Sequence, residues 1–175
     1  MKQDLREIAE QFLYCSFCGG FLEYAGENLL QCQSCLKHLY INPRPVNGAI
    51  LENEKGEILL VKRKADPSIG KWDLPGGFVD LNENVENSTI RELQEELGVT
   101  IHELSYFDSF VDVYTYQGIG YPTLGLVFTG KLPSDQKLEI SSDITEAQFF
   151  SPEEIPFGNL AFESIEKAIR KLLNN

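Results

Sequence analysis

The chain has 175 residues, 42% of them hydrophobic. This excludes a disordered tail and suffices for one full domain with a buried core plus a small module. The formal net charge of −12 disfavours a nucleic-acid partner, because a polyphosphate backbone needs a basic patch or a bridging metal. No run of about eighteen apolar residues occurs, and the N-terminus is charged and amphipathic, so we expect no membrane span, no secretion signal and a cytoplasmic location.

The first predicted element is a short amphipathic helix over residues 3–14. Apolar side chains recur there with helical spacing, at Leu5, Ile8, Ala9, Phe12 and Leu13. Such a helix packs its apolar face on a neighbouring element or on a second subunit. A homodimer is therefore one expectation for this chain.

All four cysteines follow as two CxxC pairs, Cys15 with Cys18 and, thirteen residues later, Cys32 with Cys35. Two such knuckles hold four thiolates around zinc at about 2.3 Å, and the closed shell leaves no open position for catalysis. We therefore predict a structural Zn²⁺ ribbon in a reducing compartment, with redox-active or unpaired cysteines as the alternative. His38 is a competing ligand in principle, but four cysteines are already in place.

The zinc module does not have the charge of a nucleic-acid-binding module. Residues 1–42 carry three basic and five acidic side chains, a net charge of −2. A role in packing, dimerisation or shaping of a substrate site fits better. Residues 42–45, Asn-Pro-Arg-Pro, are stiff and extended, so we place the domain boundary there. Residues 1–42 form the helix and zinc ribbon, and residues 43–175 form the catalytic domain.

The second domain is predicted to open with a β-hairpin, whose strands cover residues 46–51 and 57–62. The basic cluster Lys62-Arg63-Lys64 comes next. It is either a solvated strand end or a place where Arg63 or a neighbouring lysine steadies a diphosphate. Trp72, the only tryptophan, is expected to pack in the core rather than stack on a base.

A glycine turn and a helix come after Trp72. Pro75-Gly76-Gly77 allows a sharp turn and a close backbone approach. Asn84 is a good N-cap and Gly98 a usual helix stop, so we predict a helix over residues 85–97. Its apolar stripe consists of Ile90, Leu93 and Leu97.

A different face of this helix carries Glu92, Glu95 and Glu96. Glu92 and Glu96 are one turn apart, an arrangement of like charges that costs a few tenths of a kcal/mol. Hard carboxylate oxygens with a nearby glycine carbonyl suit Mg²⁺ or Mn²⁺. The alternative is a solvated acidic face without a metal.

The remaining chain is predicted to be strand-rich with a final helix. The strands cover residues 99–104, 106–116, 123–131 and 147–150, and the helix covers residues 160–173 after a short capped turn at 151–154. Asp108 and Asp112 lie among aromatic residues, which either stack on a nucleobase or form an ordinary sheet face. Strands between two long helices indicate an α/β fold with a mixed sheet.

Residues 77–99 resemble the Nudix box, GX5EX7REUXEEXGU with U a bulky aliphatic residue. Every specified position is met, at Gly77, Glu83, Arg91, Glu92, Leu93, Glu95, Glu96, Gly98 and Val99. This many fixed positions in one register favours a catalytic metal site over a solvated acidic face. The resemblance covers residues 44–156 and implies a Nudix α/β/α sandwich with a mixed sheet, here preceded by the zinc ribbon.

The Nudix resemblance also implies roles for individual residues. Glu92, Glu95, Glu96 and the Gly76 carbonyl would bind Mg²⁺ or Mn²⁺. Arg91 and Glu83 would hold these metal-binding residues in place by ion pairing. Gly77 would contact the substrate. The expected activity is hydrolysis of a diphosphate bond in a nucleoside diphosphate linked to another group, by metal-activated water. Family members take their general base either from the box or from a later loop, where the candidates are Glu139, Asp143 and Glu146.

The whole chain resembles the zinc-ribbon Nudix group, which includes NADH pyrophosphatases and plant FAD pyrophosphatases. Residues 154–164 are similar to the FAD enzymes, whereas residues 100–125 contain nothing like the SQPWPFPxS motif of the NADH enzymes. Many ADP-ribose enzymes have a proline about sixteen residues past the box. It is missing here, since Pro122 lies further along the chain. We expect a small FAD-, ADP-ribose- or NAD(H)-type substrate, with NADH disfavoured. The alternatives are a nucleoside triphosphate pyrophosphohydrolase and a non-catalytic nucleotide-sensing adaptor.

Overall fold

A computed structural model describes residues 5–174, which form two compact units. One unit contains the chain up to Pro43 together with Val113–Pro122, and the other contains Arg44–Asp112 and the chain from Thr123 onwards. No helix within residues 5–174 is long and apolar enough to cross a membrane.

The first unit contains a short helix and a small antiparallel sheet. The helix is α1 (Leu5–Ala9), and the strands are β1 (Leu22–Gly26), β2 (Leu29–Cys32) and β3 (His38–Tyr40), in the order β1-β2-β3.

The predicted helix over residues 3–14 was too long at its C-terminal end, and residues 3 and 4 lie outside the described residues. After Ala9 the chain becomes extended, because Tyr14 pairs with Phe21 and the Leu13 carbonyl accepts from the N–H of Leu22.

The second unit contains most of a six-stranded sheet. Its strands are β4 (Arg44–Glu52), β5 (Ile58–Arg63), β6 (Trp72–Asp73), β7 (Leu104–Tyr116), β8 (Ile119–Lys131) and β9 (Ile144–Phe150). Their order is β6-β5-β4-β8-β7, β9 also pairs with β5, and the ends of β7 and β8 that fall within Val113–Pro122 belong to the first unit. The helices are α2 (Val85–Leu97) and α3 (Glu163–Leu173), with single 3-10 turns at Pro152–Glu154 and Phe157–Asn159. Strands β4 and β8 are parallel, whereas β5 is antiparallel to β4, β6 and β9. The predicted mixed sheet is therefore confirmed.

Side chains of β4 and β5 alternate between two cores, one on each face of the sheet. Ile50, Ile58 and Leu60 join a cluster that contains Ala168 and Ile169 of α3. Their neighbours in the chain face the other way and pack with Leu93 and Leu97 of α2. These neighbours are Ala49, Leu51, Leu59 and Val61. A helix covers each face, so the expected α/β/α sandwich is confirmed.

The predicted strand over residues 99–104 is wrong. Val99 and Ile101 are buried in the core beside α2, but the backbone N–H and C=O of Thr100 bond to the side chain of Gln136 instead of a neighbouring strand. The apolar pattern therefore marks two core anchors in a loop. Strand β8 begins at Ile119, before the predicted residue 123, because the β7–β8 turn is only Gln117 and Gly118.

Trp72 packs in the core, as predicted, with its ring edge-on to Phe150 at a centroid distance of 4.9 Å. Strand β6, which contains Trp72, delays the start of α3 from the predicted residue 160 to Glu163. Leu160 forms a bridge with Trp72, and the N–H of Ala161 donates to the Trp72 carbonyl at 2.7 Å, which keeps the chain extended there.

Candidate active site and zinc centre

The glycine turn is fixed along one side of β4 by backbone hydrogen bonds. The N–H groups of Asn47 and Ala49 donate to the carbonyls of Gly77 and Pro75, at 2.8 and 2.9 Å. The N–H of Val79 donates to the Pro45 carbonyl at 3.2 Å. Residues 75–79 therefore run beside the first half of β4, and the turn is held by the sheet.

Two positions in this turn have no room for a side chain. Gly76 has a φ of 145°, and a Cβ on it would lie 2.4 Å from the Asn47 carbonyl oxygen. A Cβ on Gly77 would lie 2.5 Å from Oε1 of Glu92. The first glycine allows the backbone to touch β4, and the second makes space for a carboxylate of α2.

We expect Gly76→Ala to lower the free energy of unfolding by about 3 kcal/mol or more, since both the backbone angle and the contact with β4 are unfavourable. Urea unfolding measures this loss. Gly56→Ala is the matched control: its φ is also positive, at 76°, but a Cβ there meets nothing within 4 Å, so it should lose only about 1 kcal/mol. Equal losses in the two variants would contradict the close approach.

Helix α2 begins and ends at the predicted residues. The Asn84 side chain accepts from the N–H of Asn87 at 2.8 Å, and Gly98 closes the helix with a φ of 68°. Leu93 and Leu97 are fully buried, while Ile90, the third residue of the predicted stripe, is half-buried. The apolar stripe fixes the rotation of α2, so Glu92 and Glu96 project towards the turn.

Arg91 is the centre of the polar network on α2. Its guanidinium contacts Glu83 at 2.8 Å, Glu92 at 2.9 Å and Glu95 at 3.0 Å. It also donates to the Phe78 carbonyl at 3.2 Å. The Arg91 hydrogen bonds, helped by the N–H of Asp80, lower the pKa of Glu83 to about 2. The predicted holding role of Arg91 and Glu83 therefore has a geometric basis, since Arg91 joins the loop before α2 to two of the box glutamates.

Glu92 and Glu96 are partly desolvated carboxylates. Burial raises the pKa of Glu96 to about 8, and the charge of Glu92 adds to this, against the N–H of Gly76, which donates to Glu96 at 3.0 Å. Burial also raises the pKa of Glu92. Two neighbouring carboxylates that resist ionisation in this way are stabilised by a nearby cation.

The structure does not draw all three glutamates together. Glu95 is 60% exposed and bonds to Arg91, whereas Glu96 is tied to the turn. Within the described residues the four cysteines are the only group of three or more ligand-type side chains whose atoms lie within 4.8 Å of one another. The donors at the turn are nonetheless hard oxygens, which fit Mg²⁺ or Mn²⁺.

Arg63, predicted to steady a diphosphate, makes close contacts inside the protein. It donates to Asp73 at 2.9 Å and to the Pro67 carbonyl at 2.7 Å, and its side chain is 20% exposed. Burial raises the pKa of Asp73 to about 6, although Arg63 lowers it. The diphosphate role of Arg63 stays a prediction.

The three candidate bases lie in different surroundings. The side chain of Glu139 packs against Gly98 at the end of α2. The carbonyl of Asp143 accepts from the N–H of Lys64 at 3.3 Å. Glu146 forms a 2.5 Å ion pair with Lys62. These contacts do not select a base among the three.

The four cysteine sulfurs lie close together in the first unit. Sγ of Cys15 and Sγ of Cys35 are 3.8 Å apart, and Sγ of Cys18 and Sγ of Cys32 are 3.5 Å apart. Four sulfurs at about 2.3 Å from one zinc ion are about 3.8 Å from each other, whereas a disulfide needs about 2.05 Å. The cluster therefore fits a tetrahedral metal and not a disulfide. The N–H of Cys35 chiefly lowers the pKa of Cys32, to about 6, which favours a thiolate.

Two residues at the turn were not identified from the sequence. Asn47 and Ser88 are both buried and share a 3.0 Å hydrogen bond between β4 and α2. Ser88 lies one turn before Arg91 and Glu92, so helical spacing alone places it on the same face. Asn47 is 41 residues away from Ser88 in the chain, and no local pattern connects them.

The chain is similar to known proteins over most of its length. The model of the NUDIX domain family matches residues 42–173. An ADP-ribose pyrophosphatase of Methanocaldococcus jannaschii is 34% identical over 135 residues, which are 75% of this chain and 74% of that protein. The NAD-capped RNA hydrolase NudC of Pseudomonas aeruginosa is 30% identical over 145 residues, which are 82% of this chain and 49% of that protein. The chain thus spans about half the length of that second relative.

A solved structure gives the same result for the fold. The crystal structure of a NUDIX hydrolase from Nitrosomonas europaea superposes with a TM-score of 0.69 and 29% identity, over 93% of this chain and 90% of that one. The family model covers well over half of the chain and includes the whole glycine turn and α2. The chain therefore belongs to the Nudix hydrolase family.

Proposed function

We propose that this protein hydrolyses the diphosphate bond of a nucleoside diphosphate linked to another group, with ADP-ribose as the first candidate. The observation that carries the proposal is the position of Glu92 and Glu96, whose carboxylates lie at the Gly76-Gly77 turn. A relative named ADP-ribose pyrophosphatase, aligned over about three quarters of both chains, supports this choice of substrate.

The residues around the turn have separate tasks in this proposal. Glu92, Glu95, Glu96 and the Gly76 carbonyl would hold Mg²⁺ or Mn²⁺, which when bound neutralises diphosphate charge and lowers the pKa of a bound water. Arg91 keeps Glu92 and Glu95 at fixed distances from Glu83. The Gly76 N–H orients Glu96. Each of these contacts preserves the geometry that an in-line attack on phosphorus requires.

The charge of the chain favours a small substrate. Relatives of the NudC type are named for NAD-capped RNA, but a chain with a net charge of −12 repels a long polyphosphate. We therefore propose a free FAD-, ADP-ribose- or NAD(H)-type molecule and no RNA body. The rates of cleavage of NAD and of a short NAD-capped RNA, each measured at two salt concentrations, test this. NAD should be cleaved faster at both, and faster cleavage of the RNA would overturn the proposal.

The substrate class is tested by a panel of ADP-ribose, FAD, NADH and dGTP, each with Mg²⁺ and with Mn²⁺. Mass spectrometry should find two monophosphates from ADP-ribose or FAD, at rates well above that of dGTP. Faster release of pyrophosphate from dGTP would favour a nucleoside triphosphate pyrophosphohydrolase. Tight binding of ADP-ribose with no product under either metal would favour a nucleotide-sensing adaptor.

For the first 42 residues we propose a structural role. Cys15, Cys18, Cys32 and Cys35 would bind one Zn²⁺, and their spacing and sulfur distances support this. A closed four-sulfur shell leaves no position for a substrate, so hydrolysis is assigned to the glycine turn and α2.

A further inference from the structure

Asn47 is a polar residue in an apolar row. It lies on β4, two and four residues before Ala49 and Leu51, so all three face α2. Ala49 and Leu51 are fully buried in the core on that face, and Asn47 is only 7% exposed. An amide in this position lies in the row that otherwise forms the core under α2.

The backbone of Asn47 holds the glycine turn. Its N–H donates to the Gly77 carbonyl at 2.8 Å, and its own carbonyl oxygen occupies the space that a Cβ on Gly76 would need, 2.4 Å away. Asn47 is therefore the β4 residue in contact with both glycines of the turn.

The side chain of Asn47 reaches α2. Its Nδ2 donates to Oγ of Ser88 at 3.0 Å. Ser88 is fully buried, and the same Oγ accepts from Nη2 of Arg91 at 3.2 Å and donates to the Phe78 carbonyl at 3.4 Å. One serine hydroxyl thus joins β4, the segment after the turn and the arginine that holds Glu83, Glu92 and Glu95.

Burial of this amide is unfavourable for stability. Oδ1 of Asn47 is buried and has no hydrogen-bond partner in the described part of the chain. An unsatisfied buried acceptor costs about 1–3 kcal/mol, and an aliphatic residue would avoid that cost. The cost of the unpaired oxygen offsets the hydrogen bond that Nδ2 donates to Ser88, so stability alone does not explain an amide at this position.

We propose that Asn47 is a positioning residue for hydrolysis, an inference that rests on the proposed function. Through Ser88, Asn47 sets the distance between the Gly76-Gly77 turn and Arg91. Its backbone fixes the turn and its amide fixes the serine that meets Arg91. Glu96 is held by the turn and Glu92 by Arg91, so a shift between turn and helix separates the two carboxylates.

The test compares Asn47→Ala, Ser88→Ala and the double variant with the wild-type protein. A displacement of about 1 Å costs roughly 10- to 100-fold in rate, so each single variant should lose that much kcat while KM changes less than about threefold. The double variant should lose no more than the worse single variant, because the two residues act through one hydrogen bond. Additive losses, or an unchanged kcat in both single variants, would overturn the proposal.

Asn53→Ala is the matched control. The Asn53 side chain accepts from the N–H groups of Lys55 and Glu57 in the turn after β4, remote in sequence from the glycine turn. Its loss should lower stability and leave kcat unchanged, which separates positioning from general destabilisation. Ser88→Ala keeps a good helix former in α2, so the test stands even where Asn47→Ala does not fold.

Failure of the proposed function gives a different result from failure of this inference. A folded wild-type protein that cleaves no substrate refutes the function alone. Mn²⁺ affinity, measured by the electron paramagnetic resonance of the free ion, then tests Asn47. The inference predicts a dissociation constant at least about fivefold weaker in Asn47→Ala and unchanged in Asn53→Ala. Equal affinity in wild type and Asn47→Ala would overturn it.

Discussion

Glu96→Gln is expected to lower the rate of ADP-ribose hydrolysis by about three orders of magnitude without unfolding the protein. Glutamine keeps the shape of the side chain and a carbonyl acceptor for the Gly76 N–H, but it removes the negative charge at the turn. Steady-state kinetics with Mg²⁺ measures the loss. Glu86→Gln, an exposed carboxylate in the first turn of the same helix, is the control and should keep full activity.

The same variant makes a prediction for stability without metal. Burial raises the pKa of Glu96 to about 8 from an ordinary value of 4.5, so the folded protein binds a proton that the unfolded chain releases between those values. Stability is therefore lost as the pH rises from 4.5 to 8, and glutamine removes this loss. In buffer freed of Mg²⁺ and Mn²⁺ by dialysis, with the zinc retained, Glu96→Gln should melt at the same temperature as the wild type at pH 4.5 and at a higher temperature at pH 8. A wild type that melts at a higher temperature than Glu96→Gln at pH 8 would contradict a desolvated Glu96.

Cys32→Ser is expected to abolish zinc binding and to unfold the first unit while the second stays folded. The strands β1, β2 and β3 have five, four and three residues, and Leu30 is their only fully buried large apolar residue within the described chain. So small a core does not fold without the metal. Metal analysis should find one zinc per wild-type chain and none in the variant. Amide exchange should show protection lost in β1–β3 and retained in β4, β5 and α2.

His38→Ala is the control for the zinc prediction. His38 is exposed and contacts the Gln31 side chain at 3.3 Å, so its loss should leave the zinc content unchanged. Loss of zinc in His38→Ala would show that the histidine is a ligand. A zinc-free wild type with full protection in β1–β3 would contradict the structural role of the metal.

Local signals predicted the helix at the site well. Asn84 and Gly98 gave both ends of α2, and the spacing of Leu93 and Leu97 gave its buried face. These signals act within one or two turns, so a single sequence contains them. The glycine turn was predicted for the same reason, since a backbone contact at Gly76 excludes any side chain.

Long-range contacts were not predictable in this way. The hydrogen bond between Asn47 and Ser88 depends on how β4 lies under α2, and the start of α3 depends on the pairing of Leu160 with Trp72. The pattern over residues 99–104 was misleading, because buried side chains at Val99 and Ile101 occur without a strand partner. The diphosphate contact of Arg63, the domain boundary at residues 42 and 43, the general base and the homodimer stay predictions.

The assignment of hydrolysis to the glycine turn and α2 is tested most directly by incubating the protein with ADP-ribose and Mg²⁺ in ¹⁸O-labelled water. Mass spectrometry should find AMP and ribose 5-phosphate in equal amounts, with one labelled oxygen on one of the two phosphates, in the wild type and in Glu86→Gln. Glu96→Gln should give almost no product. Full hydrolysis by Glu96→Gln, or no product from the folded wild type with either Mg²⁺ or Mn²⁺, would contradict the account.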